Sequence, residues 1–177
     1  MSVTLRTERL VLREWREADR DAWAAMSADP EVMEFFPATL DRVAADAVFD
    51  RSAASLEERG WGLWAVEADG AFVGFTGLQP VPFEAAFTPA IEIGWRLARS
   101  AWGRGFATEA ARASLDYAWR ELALDEVVAM AVPANRRSLA VMRKLGMTRD
   151  PADDFDHPRL ADGPLRRHML FRVARRG

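Results

Sequence analysis

The chain has 177 residues, half of them apolar and 29% charged, which is an ordinary composition for one globular domain with a full hydrophobic core. Its formal net charge of −3 gives no electrostatic reason to bind nucleic acid or an anionic membrane. The sequence lacks cysteine, which excludes disulfides, thiolate metal sites and cysteine nucleophiles, and its two histidines are too few for a histidine-rich zinc site.

The N-terminus carries charged residues where a secretory signal peptide would have its apolar region. No apolar run approaches the roughly 18 residues that indicate a membrane span. We therefore expect a single cytoplasmic domain over residues 1–177, with no metal, no nucleic-acid partner and no membrane partner. A monomer and a homodimer are both compatible with the sequence.

Hydrophobic periodicity divides the first half of the chain into strands and helices. Leu10 and Leu12 alternate with polar neighbours, as in a strand, and the apolar residues around Trp23 recur at helical spacing. Asp69-Gly70 between two apolar runs is a strong hairpin signal. The predicted elements are a strand over 9–15, helices over 18–27 and 40–58, and hairpin strands over 61–67 and 71–78.

The second half adds strands, two further helices and a polar loop. A strand over 91–97 leads into a long helix over 104–122, and a strand over 126–132 leads into a helix over 135–145 that ends at Gly146. Strands over 147–149 and 166–173 complete the chain, separated by a polar loop over 150–163. A hairpin followed by a βαβ arrangement predicts an α+β fold, in which a mixed sheet carries helices on its faces.

The most informative stretch joins the strand over 91–97 to the following helix. Its loop contains Gly103 and Gly105, which allow a ligand to approach the backbone closely and permit positive φ. No Ser, Asp or Asn stands where an N-cap residue would satisfy the first amides, so those N–H groups need another acceptor. Such a helix N-terminus suits a phosphate, although the same glycines are compatible with a plain tight turn.

Two other nucleotide-binding motifs do not fit this loop. A Walker loop is excluded because no Gly-Lys-Ser/Thr follows the glycines. A dinucleotide-binding fingerprint needs a glycine at the position of Thr108, and it usually opens the first βαβ unit of its fold, whereas several predicted strands precede this loop.

Three segments, in this order, cover nearly the whole chain: Thr7-Glu-Arg-Leu-Val-Leu-Arg13, Trp102-Gly-Arg-Gly-Phe-Ala-Thr-Glu-Ala110 and Asn135-Arg-Arg-Ser-Leu-Ala-Val-Met-Arg-Lys-Leu-Gly-Met147. Together they resemble the GNAT superfamily of N-acetyltransferases, in particular the RimJ/RimL-like branch that modifies ribosomal-protein N-termini. The family's loop is Gln/Arg-x-x-Gly-x-Gly/Ala. Gly105 and Ala107 match its small residues, whereas Trp102 stands where Gln or Arg is commonest.

The resemblance implies a twisted, mostly antiparallel sheet of about seven strands, flanked by helices, with one splayed parallel pair. The strand over 93–97 would expose backbone to the pantetheine arm of acetyl-CoA, and the loop amides would hold the pyrophosphate. The residues expected at the cofactor are Trp95, Leu97, Trp102, Gly103, Arg104, Gly105, Phe106, Ala107, Thr108, Asn135 and Ser138.

In the implied reaction, a primary amine attacks the thioester of acetyl-CoA directly. The amine belongs either to a protein N-terminus or to a small molecule. Many family members place a Tyr on the helix over 135–145 to protonate the leaving sulfur, but the matching residue here is Met142. Ser138, one turn earlier, is expected to hydrogen-bond that sulfur; a hydroxyl bonded to its own helix is the alternative. Glu92 is expected to be the base, unless strand alternation turns it towards solvent.

The acceptor side offers further candidates, and His168, within an apolar run, is expected to be a core residue instead. The candidates are Phe35, Phe36, Glu84, Asp156 and His157, of which the last three are secondary candidates for the base. A second hypothesis is a non-catalytic acyl-CoA sensor or interaction module on the same fold. Met142 favours that hypothesis and Ser138 opposes it.

Overall fold

The computed structural model describes residues 3–175. Its helices are α1 (Arg20–Ala28), α2 (Arg42–Arg59), α3 (Phe106–Arg120) and α4 (Arg136–Lys144). Its strands are β1 (Leu5–Arg6), β2 (Leu10–Arg13), β3 (Leu63–Ala68), β4 (Ala71–Pro80), β5 (Ile91–Leu97), β6 (Glu126–Ala131), β7 (Phe155–Asp156) and β8 (Arg167–Ala174). Short 3₁₀ turns are formed by Glu17–Asp19, Arg99–Ala101 and Pro151–Asp153.

The strands form one mixed sheet in the order β1-β2-β3-β4-β5-β6-β8-β7. Strands β1 to β5 are antiparallel neighbours along the chain, and β8 returns antiparallel between β6 and β7. Helix α3 is the crossover connection that makes β5 and β6 parallel. The expected α+β fold with a mostly antiparallel sheet is confirmed, and within residues 3–175 the sheet has eight strands, one more than the seven or so expected.

The two parallel strands meet at one place. Within the described residues, β5 and β6 pair where Glu92 lies opposite Val128, near the start of β5. On its other side, β5 pairs with β4 along its whole length, from Ile91 to Leu97. One edge of β5 beyond Glu92 therefore carries backbone groups that the sheet does not use, which is the splay that the resemblance implied.

Alternation along β5 sends its side chains to opposite faces of the sheet. Ile93 packs against α3 in a buried cluster. Arg96 lies on the other face, where its guanidinium approaches the ring of Trp23 on α1. Glu92 and Gly94 share the face of Arg96, because residues 92, 94 and 96 are spaced two positions apart along the strand.

Two local predictions were wrong. The strand expected over 147–149 forms only an isolated bridge between Thr148 and Arg172. Pairing ends there because Asp150 caps a 3₁₀ turn that begins at Pro151, and proline has no N–H to continue a ladder. The loop expected over 150–163 contains this turn and the strand β7, which at two residues is too short to show a period in the sequence.

A buried ion pair joins the end of β2 to the turn before α1. Arg13 donates from Nη1 and Nη2 to the two carboxylate oxygens of Asp19 at 2.7 and 2.9 Å. Its Nε donates to Glu67 on β3 at 2.6 Å. The side chains of Arg13 and Asp19 are each 5% exposed, so this bidentate pair is shielded from water.

Candidate active site

The loop between β5 and α3 leaves main-chain donors without partners. Gly103 and Gly105 have φ of +73° and +81°, a left-handed conformation that glycine adopts without strain. Helix α3 begins after Gly105 with no side-chain cap, and its first helical bond runs from the N–H of Glu109 to the carbonyl of Gly105 at 3.0 Å. The N–H groups of residues 106–108 precede that bond, and the same residues line a cavity of about 330 Å³.

This cavity, which we call the cofactor cavity, is suited to an anion. Its described lining includes the cations Arg96, Arg137 and Lys144 and no carboxylate. The partial positive charge of the α3 N-terminus adds to these cations. Residues predicted to bind the cofactor line it as follows: Trp95, Leu97, Trp102, Gly103, Gly105, Phe106, Ala107, Thr108, Asn135 and Ser138. Arg104 instead lies over the ring of Phe106, at 4.4 Å, and 3.7 Å from Asp69.

Trp102 has a structural role in the loop. Its indole Nε1 donates to the carbonyl of Leu97 at 2.8 Å, which ties the loop to the end of β5. The guanidinium of Arg137 lies 4.2 Å from the centre of its ring and also pairs with Glu34 at 3.0 Å. Trp102 therefore holds the loop and positions a cation from α4 at the cofactor cavity, where the family more often has Gln or Arg.

The N-terminal segment braces the first turn of α3. The Thr7 hydroxyl donates to Glu109 at 2.6 Å, and Arg9 donates to the same carboxylate from its backbone N–H at 3.0 Å and its Nε at 2.7 Å. Arg9 also donates to the carbonyl of Arg104 at 2.9 Å. Burial raises the pKa of Glu109, but these hydrogen bonds outweigh it and leave that pKa below its usual value. Sequence reasoning found this segment only as a likeness and did not predict the contacts.

A second cavity, which we call the acceptor cavity, adjoins the first and has a volume of about 760 Å³. The two are neighbouring parts of one cleft, because they share six lining residues. These are Phe35, Phe36, Trp95, Arg96, Asn135 and Ser138. The cleft therefore runs from the α3 N-terminus, past the splayed edge of β5, to the opposite face of the sheet.

Ser138 lies where the two cavities meet. It is half-buried at the start of α4, and its backbone N–H donates to the side-chain oxygen of Asn135, the N-cap residue, at 3.1 Å. Met142, one turn later, is 2% exposed and lines the acceptor cavity. A hydroxyl is thus available at the junction, and a thioether stands where the family often has Tyr.

Glu92 faces the acceptor cavity. The side-chain amide of Gln79, its cross-strand neighbour, donates a hydrogen bond to its carboxylate. Burial raises the pKa of Glu92 above its ordinary value despite this hydrogen bond. The side chain of Glu92 thus points into the cleft and not towards solvent, which was the alternative that strand alternation left open.

Two neutral histidines stand at the far wall of the acceptor cavity, with ring centres 5.3 Å apart. Burial lowers the pKa of both His157 and His168. Nδ1 of His168 lies 3.1 Å from the carbonyl oxygen of Arg166, which can only accept, so this nitrogen carries the proton and Nε2 keeps a lone pair. Nδ1 of His157 instead accepts the N–H of Arg159 at 3.2 Å.

His168 was expected in the core, but it is half-buried at the cavity wall. Alternation on β8 puts His168 on the same face as the buried Leu170, so the sequence carried no signal that its ring lies at a cavity. Glu84 is exposed and lies in a separate surface depression, and Asp156 is exposed and pairs with Arg167 at 3.2 Å. Across residues 3–175, no helix combines the length and apolar character needed to cross a bilayer.

Comparison with known proteins agrees with this geometry. Residues 9–148 match the acetyltransferase (GNAT) domain family. The FsC-acetyl coenzyme A-N(2)-transacetylase of Aspergillus fumigatus is 35% identical over 153 residues, which cover 82% of this chain and 65% of that protein. YkkB of Bacillus subtilis is 32% identical over 144 residues, which cover 80% of this chain and 83% of YkkB. The chain thus spans just under two thirds of the first relative and most of the second.

Solved structures show the same fold. An acetyltransferase from Agrobacterium tumefaciens has a TM-score of 0.79 at 31% identity, covering 99% of this chain and 96% of that one. RimJ of Mycobacterium smegmatis, solved with CoA-disulfide, has a TM-score of 0.75 at 23% identity, covering 97% and 86%. The family match covers most of the chain and the solved structures share its whole fold. This chain therefore belongs to the GNAT family of acetyltransferases, which are acyltransferases.

Proposed function

We propose that this chain transfers an acetyl group from acetyl-CoA to a primary amine by direct attack on the thioester. The observation that carries the proposal is the set of unpartnered N–H groups at residues 106–108, which open onto a cavity whose described lining has three cations and no carboxylate. A pyrophosphate satisfies both features. The name of the Aspergillus fumigatus relative, a transacetylase that uses acetyl coenzyme A and acts at N(2), supports the same chemistry.

The two cavities divide the work between donor and acceptor. The α3 N-terminus and Arg137 would hold the pyrophosphate, and the unused edge of β5 would pair with the pantetheine arm. The acceptor cavity would hold the amine against Glu92. Ser138, which lines both cavities, would meet the leaving sulfur.

Bound acetyl-CoA supplies the carbonyl carbon at which a C–N bond forms while the C–S bond breaks. Glu92 would take the proton that the attacking amine loses, directly or through a water. Backbone N–H groups on the free edge of β5 would stabilise the negative charge on the carbonyl oxygen, an effect of about 3–4 kcal/mol in other acyl-transfer sites. Ser138 would donate a hydrogen bond to the departing thiolate, which solvent then protonates.

Turnover provides the direct test. The protein is mixed with acetyl-CoA and a panel of N-terminal peptides and small amines, and release of free thiol is followed, with calorimetry against coenzyme A in parallel. Thiol release with at least one amine supports the proposal. Coenzyme A binding without turnover of any amine would instead favour the acyl-CoA sensor, and no binding heat would overturn both functions.

Replacing Gly103 by Ala is expected to weaken coenzyme A binding by about tenfold. The added methyl group would enter the cofactor cavity beside the loop N–H groups that donate to the charged pyrophosphate. Gly70→Ala in the β3–β4 hairpin is the matched control. The two glycines have φ of +73° and +77°, and a Cβ at either meets nothing within 4 Å. Each substitution therefore costs a similar backbone strain of about 1–2 kcal/mol. Calorimetry that shows equal affinities for the two variants would contradict the assignment of the loop.

Replacing Ser138 by Ala is expected to lower kcat by about 10- to 100-fold while coenzyme A affinity stays the same. The natural protein forms this hydrogen bond to a charged group only as the thiolate develops, so its removal affects the transition state and not cofactor binding. Steady-state kinetics and calorimetry measure the two quantities separately. Ser138→Thr keeps the hydroxyl and is expected to retain most of the turnover. An unchanged kcat in Ser138→Ala would place this hydroxyl outside the reaction.

A further inference from the structure

Arg96 on β5 has an unusual environment. Its Nε and Nη1 are buried and have no hydrogen-bond partner, and within residues 3–175 the guanidinium forms no ion pair. Burial lowers its pKa to about 10, so it remains a cation at neutral pH. A buried guanidinium without an acceptor is costly unless another group supplies one.

Aromatic rings enclose this guanidinium. Its central carbon lies 4.0 Å from the ring centre of Phe36, 5.4 Å from that of Phe75 and 5.5 Å from that of Trp23. These contacts offset part of the desolvation of the charge, but ring faces are poor partners for a planar fork of N–H donors. The rings thus hold Arg96 in place, but they leave the N–H groups of Nε and Nη1 without a hydrogen-bond acceptor.

Two further arginines line the acceptor cavity. Arg51 and Arg59 lie eight positions apart on α2, both line the cavity, and neither forms an ion pair in the described part of the chain. Glu92 is the one carboxylate among the described lining residues. Three unpaired guanidiniums against one carboxylate favour an acceptor that carries negative charge.

Glu92 and Arg96 lie on the same face of β5, with Gly94 between them. Gly94 has no side chain, and a Cβ built there would meet nothing within 4 Å, so the floor between the two charged groups is open. Their backbones are about 13 Å apart at the usual rise of a strand. A single acceptor molecule can therefore place its amine at Glu92 and an anionic group at Arg96 only if several bonds separate these two groups.

We propose that the acceptor is a small amine with a carboxylate several bonds away, and that the unpartnered fork of Arg96 binds this carboxylate. This assignment rests on the proposed function, because it names the acceptor of that reaction. A carboxylate matches a guanidinium fork in a bidentate pair and neutralises its single charge. A phosphonate has the same donors available to it, and the test separates the two anions.

The test compares ε-aminocaproate with its amide, which differ at the carboxylate and leave the amine in place. The matching aminoalkylphosphonate forms a third arm. We expect kcat/KM for the carboxylate to exceed that for the amide by about 10- to 100-fold, the range for a hydrogen-bonded charge. Arg96→Met, which keeps apolar packing against Phe36, should bring the ratio close to one, because it lowers kcat/KM for the carboxylate much more than for the amide. Arg120→Met, an exposed residue at the end of α3, is the control and should leave the ratio unchanged.

A binding measurement makes the anion site testable without turnover. Caproate, which has no amine, is titrated into the complex with coenzyme A, and its affinity should fall in Arg96→Met and fall less in Arg96→Lys, which keeps the charge. If Arg96→Met does not fold, two measurements still test the carboxylate site. They are the ratio of kcat/KM for the carboxylate and the amide in the natural protein, and the affinity of Arg96→Lys for caproate.

The outcomes separate the two proposals. Equal turnover of ε-aminocaproate and its amide would overturn the carboxylate assignment and leave the acetyltransferase in place. A phosphonate preferred over the carboxylate by more than about tenfold would also overturn it. Arg96-dependent binding of caproate without thiol release from any amine would support an anion site and overturn the proposed function.

Discussion

Replacing Glu92 by Gln is expected to lower kcat/KM by about 10²- to 10⁴-fold, the usual contribution of a positioned general base. The substitution keeps the size of the side chain and its place beside Gln79, but it removes the group that accepts the proton of the amine. Because burial raises the pKa of Glu92, the carboxylate form appears only above this raised value. The rate of the natural protein should therefore fall as the pH falls through that pKa, and this dependence should disappear in Glu92→Gln.

The pH profile separates Glu92 from the acceptor itself. An acceptor amine must also be neutral, and the part of the profile that reports its ionisation moves when an amine of different pKa is used. The part due to Glu92 stays in place. Glu58→Gln, at an exposed position on α2, is the control and should leave the profile unchanged. If the acid limb survives in Glu92→Gln, the base is another group, and the lone pair on Nε2 of His168 is the next candidate.

Replacing Asp19 by Ala is expected to lower the free energy of unfolding by about 3 kcal/mol, which is the lower end of the range for breaking a buried pair. The loss leaves the 5% exposed Arg13 with a charge that Glu67 alone must balance. It also removes the acceptor of the Arg16 backbone N–H, at 2.8 Å. Thermal unfolding should show a Tm lower by about 6–12 °C for a domain of this size.

Asp21→Ala is the matched control for this prediction. Asp21 also pairs with an arginine at 2.7 Å, but its side chain is 88% exposed and that of Arg42 is 53% exposed. Water and salt screen this pair, so its loss should leave the stability nearly unchanged. Similar shifts in Tm for the two variants would show that burial is not what makes the Arg13–Asp19 pair important.

Local patterns in the sequence were sufficient for the elements that carry the fold. The strand β5 and the helices α3 and α4 formed close to their predicted bounds, because alternation and helical periodicity report directly which face of an element is buried. Gly103 and Gly105 also marked the loop from local sequence alone, because positive φ and a missing N-cap depend on residues that are neighbours in the chain. The short strands β1 and β7 were missed because two residues contain no period.

Contacts between distant segments decided the rest of the site. Nothing near Arg96 in the sequence indicates that Phe36, Phe75 and Trp23 enclose it, and nothing near Glu109 indicates that Thr7 and Arg9 hold its carboxylate. His168 looked like a core residue until the fold placed it at a cavity wall. Local sequence patterns thus predicted the longer strands, the helices and the glycine-containing turn before α3. Which charges are buried, paired or left for a ligand was decided by the tertiary structure alone, because burial and pairing depend on residues far apart in the chain.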